Sequence, residues 1–412
     1  MRGTGVETVM ATVVLVGTLD TKGTEYGWLR DQVRELGCEV VLIDAGIGEP
    51  QIEADVPAGR VAEAAGASLE ALREAGDRGA AVTRMGEGAA IIAAELFAAA
   101  RVDAVLAVGG SGGSSIAARA VRDLPIGLPK LIVSTMASGD VSPYVGAKDV
   151  TITYSVVDVA GINRVSRLIL GNAAAAAAGM AKAHAGTQTQ AQERPLIGAS
   201  MFGVTTPAVN VARERLEELG YEVLVFHATG AGGRALEGLA DSGLLAGVLD
   251  MTTTELADDL VGGVLSAGPE RLTAAGKNRV PQVVAPGALD MVNFGPRDTV
   301  PERFGGRNLY IHNPTVTLMR TTPEEMAELG RRVAAKLAAA TGPAVLFVPL
   351  SGVSALDVPG MPFHDPEADE ACFEALQGTG VDTVRLDMNI NDPAFGRAMA
   401  DRLHELITGA PK

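Results

Sequence analysis

Val105-Leu106-Ala107-Val108-Gly109-Gly110-Ser111-Gly112-Gly113-Ser114-Ser115 sets the pattern for the whole chain. An apolar run enters four glycines and three serines at once, and Ile116-Ala117-Ala118-Arg119-Ala120-Val121 follows with helical spacing. Strand, glycine loop and helix in that order predict a doubly wound α/β sheet with a ligand at the strand end. Glycines let backbone N–H groups turn toward an anion, and the helix start adds partial positive charge. Gly109, Gly110, Ser111, Gly112, Gly113 and Ser114 are therefore candidate phosphate-binding residues. The loop lacks the Gly-Lys-Ser/Thr ending of a P-loop and the spacing of a dinucleotide fingerprint, so it does not name its ligand. The alternative is a tight turn whose small residues serve packing.

The same unit recurs on either side. Residues 12–16 form a β-branched run, predicted to be a buried strand, with the outlet Gly17-Thr18-Leu19-Asp20-Thr21-Lys22-Gly23. Residues 25–36 read as an amphipathic helix and residues 39–43 as the next strand, ending at Asp44. That is where a dinucleotide fold places a ribose carboxylate. Residues 131–135 form a further strand, with Met136-Ala137-Ser138-Gly139-Asp140 at its outlet. Thr18, Asp20, Lys22, Asp44, Thr135, Ser138, Gly139 and Asp140 thus join the cofactor-binding candidates. Helices are expected over 61–77, 86–100 and 156–180. The alanines of 173–178 suggest close helix packing, across a subunit interface in a homodimer or larger homo-oligomer.

Residues 184–194 are polar and read as a linker between an N-terminal domain, 1–183, and a C-terminal domain, 195–412. The second half alternates strands and helices again, which predicts two Rossmann-like parallel-sheet domains with a cleft between them. Its outlets carry His227, Asp250, Glu255, Asp290 and His312. The histidines can act as acid, base or ligand near neutral pH. The three carboxylates can hold Mg²⁺ with phosphate oxygens and water. Against that, Glu255 follows Thr252 at the spacing of a helix capping box, and histidines at strand ends are often structural. These five are the catalytic candidates.

Composition narrows the classes. The 412 residues are 47% apolar, too many for one ordinary core, which points to two domains. A net charge of −16 and 4% aromatic content argue against general nucleic-acid binding. No apolar run reaches membrane-spanning length. The N-terminus lacks a signal-peptide pattern, so a cytoplasmic protein is expected. Cys38 and Cys372 lie far apart and form no metal motif. Nothing resembles a nucleophile elbow or zinc spacing, and the chain offers no clear metal site beyond the carboxylates named.

Long motifs carry a family resemblance. They are residues 17–23, 109–114, 134–140, 155–163, 201–207, 227–237, 250–255, 287–294 and 312–320. In these the chain resembles uncharacterised protein family 0261, the Tm-one-like ATP-binding family, from about residue 13 to the final helix. The resemblance implies two Rossmann-like subdomains, an ATP site in the first and dimerisation, but no known reaction. The expectation is an ATP- and Mg²⁺-dependent cytoplasmic enzyme acting on an unidentified small molecule between the domains. The alternatives are an ATP-binding regulatory or interaction module without turnover, and an ATP-independent lyase or hydrolase.

Overall fold

β1 (Thr12–Gly17) is almost wholly buried, and it starts a chain of alternating strands and helices. α1 (Leu19–Glu35), β2 (Glu39–Asp44), α2 (Ala58–Ala64), α3 (Leu69–Ala75) and α4 (Arg78–Ala98) come first. β3 (Ala104–Gly109), α5 (Ser111–Arg122), β4 (Lys130–Ser134), α6 (Ser142–Val145), β5 (Val150–Tyr154) and α7 (Arg164–Thr187) complete the first unit. This computed structural model describes residues 10–187, 194–378 and 380–409. Contacts divide the chain into two units, parting between residues 191 and 192.

The first unit is a parallel sheet in the order β2-β1-β3-β4-β5. Strand side chains alternate between its faces. Val13 and Leu15 pack with Leu29 and Val33 of α1 and Leu170 and Ala174 of α7. Val14 and Val16 pack with Val61 of α2, Met85 and Ala89 of α4 and Ile116 of α5. Both faces are covered, which is why the strands read as unbroken apolar runs.

Several local expectations change here. α1 begins at Leu19, so most of the expected 17–23 loop is helical, with a non-helical break at Lys22 (φ −128°, ψ 19°). The helix expected over 61–77 is two helices, parted at residues 65–68. Residues 156–163 are not helical, and Val156 has φ 63°, rarely adopted by a β-branched residue. Ala173, Ala174, Ala177, Ala178 and Ala181 of α7 are buried in this unit's own core, so the alanine run packs on its own sheet. α7 also runs through His184, whose Nδ1 lies 3.3 Å from Asp103 Oδ1, and so absorbs the start of the expected linker. Residues 188–193 of that linker lie outside the described residues.

The second unit opens with β6 (Leu196–Met201), α8 (Thr206–Glu218), β7 (Glu222–His227) and α9 (Ala231–Asp241). β8 (Leu245–Thr252), α10 (Glu255–Val261), α11 (Ala274–Lys277), β9 (Gln282–Gly287), β10 (Met291–Phe294), β11 (Leu309–Asn313) and β12 (Val316–Arg320) follow. It closes with α12 (Pro323–Ala338), β13 (Ala344–Pro349), α13 (Pro366–Ala375), β14 (Asp382–Leu386) and α14 (Pro393–Thr408). A parallel sheet runs β14-β13-β9-β8-β6-β7. Each unit is thus an α/β fold on a parallel sheet, Rossmann-like as the alternation predicts. β10, β12 and β11 depart from that pattern and form a separate antiparallel sheet. Among the described residues no helix is long and apolar enough to cross a membrane.

Candidate functional site

The strand order of the first unit reverses between β1 and β3, because β1 connects outward to β2 and β3 lies on its other side. In an open parallel sheet such a switch leaves a crevice at the strand C-termini. A cavity of about 530 Å³ lies there. Its walls include Thr18, Asp20 and Lys22 of the β1–α1 junction and Gly109, Gly110, Ser111, Gly112 and Gly113 of the β3–α5 junction.

The N-termini of two helices, 17 and 12 residues long, thus open on one cavity. In α5 the amide of Ser114 closes the first helical turn onto Gly110 O at 2.8 Å. The amides of Ser111, Gly112 and Gly113 precede that bond and are the free N–H groups of a helix start. Gly109 has a steric cause: a Cβ there would lie 2.8 Å from Gly113 Cα. Gly112 has none, since a Cβ would meet only Val82 and Arg78, at 3.7 and 3.8 Å.

Lys22 and Arg78 add positive charge to the walls, and neither forms an ion pair with a carboxylate among the described residues. The break in α1 falls at Lys22 itself. Arg78 escaped the sequence reading, which began that helix at residue 86. Its signal was the capping Asp77, whose side chain accepts from Ala80 N–H at 3.0 Å. Ile47, Ala81, Val82, Met85 and Ile116 give the cavity an apolar side.

Six other first-unit candidates do not line the cavity. Asp44 is buried, and its Oδ1 accepts from Leu19 N–H at 3.0 Å and Gly46 N–H at 2.9 Å. Burial pushes its carboxyl up, while those two N–H groups hold it down. It organises the cavity's edge and is not presented as a ribose ligand. Ser114 is buried, with its Oγ 2.6 Å from Ser134 Oγ, and ties α5 to β4. Thr135 and Ser138 lie in a 3₁₀ turn, and Gly139 and Asp140 follow it. None of these four lines the cavity. Asp140 Oδ1 accepts from Ser142 N–H at 2.9 Å, which holds its carboxyl below the usual range.

The second-unit candidates do not assemble into a magnesium site. Asp250 and Glu255 surround Arg271 and are fully buried with it. Glu255 Oε1 also accepts from Gly230 N–H at 2.6 Å and Gly233 N–H at 3.0 Å, at the start of α9. The glycine loop of residues 228–233 therefore binds an anion that the chain itself supplies. Asp290 belongs to a different cluster, where its Oδ2 accepts from Ser354 Oγ at 2.7 Å beside Asp357 and Arg320. β8 and β9 are neighbours in the sheet, yet Asp250 and Asp290 end in different buried clusters, one around Arg271 and one beside Arg320. No group of three metal-ligating side chains occurs among the described residues. His227 is exposed at the end of β7. His312 is exposed on β11, 6.5 Å ring to ring from Tyr310, and belongs to the antiparallel sheet, not to a parallel-strand outlet.

Comparison with known proteins places these units. Residues 11–186 match the uncharacterised protein family (UPF0261) N-terminal domain, and residues 194–407 match its C-terminal domain. A UPF0261 protein of Clostridium tetani is 52% identical over 400 residues, covering 96% of this chain and 98% of that protein. The ToMV resistance protein Tm-1(GCR237) of Solanum lycopersicum is 40% identical over 421 residues, 96% of this chain and 55% of that protein. Among solved structures, the Streptomyces glycosyltransferase SsfS6 with thymidine diphosphate is similar at 12% identity, covering 95% and 99% of the two chains. A UDP-N-acetylglucosamine 2-epimerase from Listeria monocytogenes is similar at 10% identity, covering 98% and 99%. Their TM-scores of 0.20 and 0.25 bear on neither fold nor function. The two family matches and the 52% identical relative settle the family: the chain belongs to UPF0261.

Proposed function

We propose that the first unit binds ATP together with Mg²⁺, its phosphates on the α5 start and its base against the apolar side of the cavity. One observation carries this: two helix N-termini and two cations without an ion pair among the described residues, Lys22 and Arg78, converge on a single cavity of about 530 Å³. Helix starts and basic side chains both favour phosphate. The volume lies within the range of small-molecule sites. Ile47, Val82, Met85 and Ile116 supply the apolar contact that a purine needs.

The reading is of nucleotide binding and stops short of turnover. The sequence argument for an enzyme rested on His227, His312, Asp250, Glu255 and Asp290; Asp250 and Glu255 are bound to Arg271, and the two histidines stand exposed on β7 and β11. A cytoplasmic location is part of the proposal, supported by two free, buried cysteines, Cys38 and Cys372.

Calorimetric titration with ATP and Mg²⁺ tests the reading. Gly112→Asp puts a carboxylate among the free amides, at a position with room for a Cβ, and should abolish detectable binding. Gly112→Ala should retain it. If the wild type gives no binding heat, or Gly112→Asp binds as well as the wild type, the site is wrong.

Self-association is proposed as well, through β5 and the start of α7. β5 is an edge strand, and Tyr154, Val156, Val165 and Leu168 are exposed close to it in sequence, Leu168 at 66%. Exposed apolar side chains and an open strand edge each favour pairing with a second copy. Sedimentation of the wild type against Leu168→Glu decides: a dimer that dissociates supports this face, and an unchanged mass rejects it.

A further inference from the structure

Asp20 is an acid in what is otherwise a cradle for anions. It sits in the first turn of α1 and lines the cavity with Lys22. Its Oδ2 accepts from Gly48 N–H at 2.8 Å. Its Oδ1 is shut off from solvent and meets no donor. A buried carboxylate oxygen without a partner is costly, and a negative charge beside bound phosphates adds repulsion. Both costs disappear if a cation stands between the carboxylate and the phosphates.

We propose that Asp20 holds the divalent cation that accompanies the nucleotide, an inference that rests on the ATP reading above. The chemistry of the donor fits. Mg²⁺ takes hard oxygen ligands, commonly one or two carboxylates with phosphate oxygens and water completing the shell. Asp158 lines the same cavity and forms no ion pair among the described residues, so a second carboxylate is at hand.

The surrounding chain is kept bare at this oxygen. A Cβ at Gly46 would lie 2.6 Å from Asp20 Oδ1, and one at Gly48 would lie 2.8 Å from Oδ2. Residues 46–48 are also clasped from outside, where Arg73 donates to Ile47 O and, at 3.0 Å, to Gly48 O. The carboxylate is thus fixed on one oxygen, while the other has no donor from the chain. A residue serving only to latch residues 46–48 would need just the first. The cation site moves accordingly from the second-unit carboxylates to the first-unit cavity.

The test is calorimetric titration of the full chain with ATP, in excess MgCl₂ and in EDTA. Asp20→Asn keeps an oxygen for Gly48 N–H and removes the charge. It should lose about tenfold or more in affinity for ATP with Mg²⁺. Its affinity for metal-free ATP should stay level or rise. Asp20→Glu keeps the charge and should retain a Mg²⁺ dependence, which guards against a folding defect in the first variant. Equal losses with and without Mg²⁺ would reduce Asp20 to a latch, and no loss would place the cation elsewhere. Both outcomes overturn the inference while leaving ATP binding intact. A wild type that binds ATP under neither condition fails the nucleotide reading and carries this inference down with it.

Discussion

Arg271 grips Asp250 with two hydrogen bonds, Nη1 to Oδ2 at 2.5 Å and Nη2 to Oδ1 at 2.7 Å, and both side chains are out of solvent. Its remaining donors reach Glu255 Oε2, Glu237 Oε1 and Thr252 O at 2.6, 3.2 and 3.2 Å. All five N–H groups of the guanidinium are therefore used. Together they fasten β8, the middle of α9 and the start of α10 around one cation.

Removing that cation strands buried carboxylates. Arg271→Met should cost about 3–5 kcal/mol of unfolding free energy, the usual penalty for breaking a buried ion pair from one side. Urea denaturation followed by circular dichroism measures it. A loss under about 1 kcal/mol would mean that the carboxylates find protons or water instead.

A second buried cluster predicts pH dependence. Arg320 donates to Asp369 Oδ1 at 2.8 Å and to Phe363 O at 2.8 Å, and lies 3.8 Å from Asp357 Oδ1. Asp290 and the buried thiol of Cys372 complete the surroundings. Burial, then the Asp357 charge, pushes Asp290 up to about 7 and Asp369 up to about 8, with Arg320 opposing. The folded state thus holds protons that the unfolded chain releases near its ordinary value of 3.8. Stability from these groups is full below that value and is lost as pH rises through 7 to 8. The urea midpoint should fall across that window, and Asp369→Asn should flatten the fall. A midpoint that rises with pH in both proteins would contradict this assignment.

Tyr26 ties together the two strand ends that lead into the cavity walls. Its hydroxyl accepts from Val108 N–H at 2.8 Å and lies 2.5 Å from Val16 O and 3.0 Å from Val108 O, bridging the ends of β1 and β3. Tyr26→Phe leaves a buried N–H unpaired, at a cost of about 1–3 kcal/mol. ATP affinity should weaken with it, because the two strand ends that carry Thr18 and Gly110 lose their tie. Unchanged affinity in a destabilised variant would separate this tie from the site.

Much of this was legible along the chain. The strand-loop-helix rhythm predicts two parallel sheets because buried parallel strands must be apolar on both faces. Gly109, Gly110, Ser111, Gly112 and Gly113 announce a helix start open to an anion, and Thr18, Asp20 and Lys22 stand in the same cavity wall. These are local properties, fixed by backbone freedom and by the order of neighbouring residues. What tertiary structure alone decided is which polar residues are already spent. Asp250 and Glu255 lie next to an arginine sixteen or more residues away, and only the fold buries the three together. Asp44 and Ser114 have the right chemistry but face inward, onto backbone N–H and Ser134. Arg78, unremarkable in a charged stretch, reaches the cavity because α4 packs beside α5. Sequence places a functional group on an element, whereas competition among buried groups for partners decides which of them remain free for a ligand.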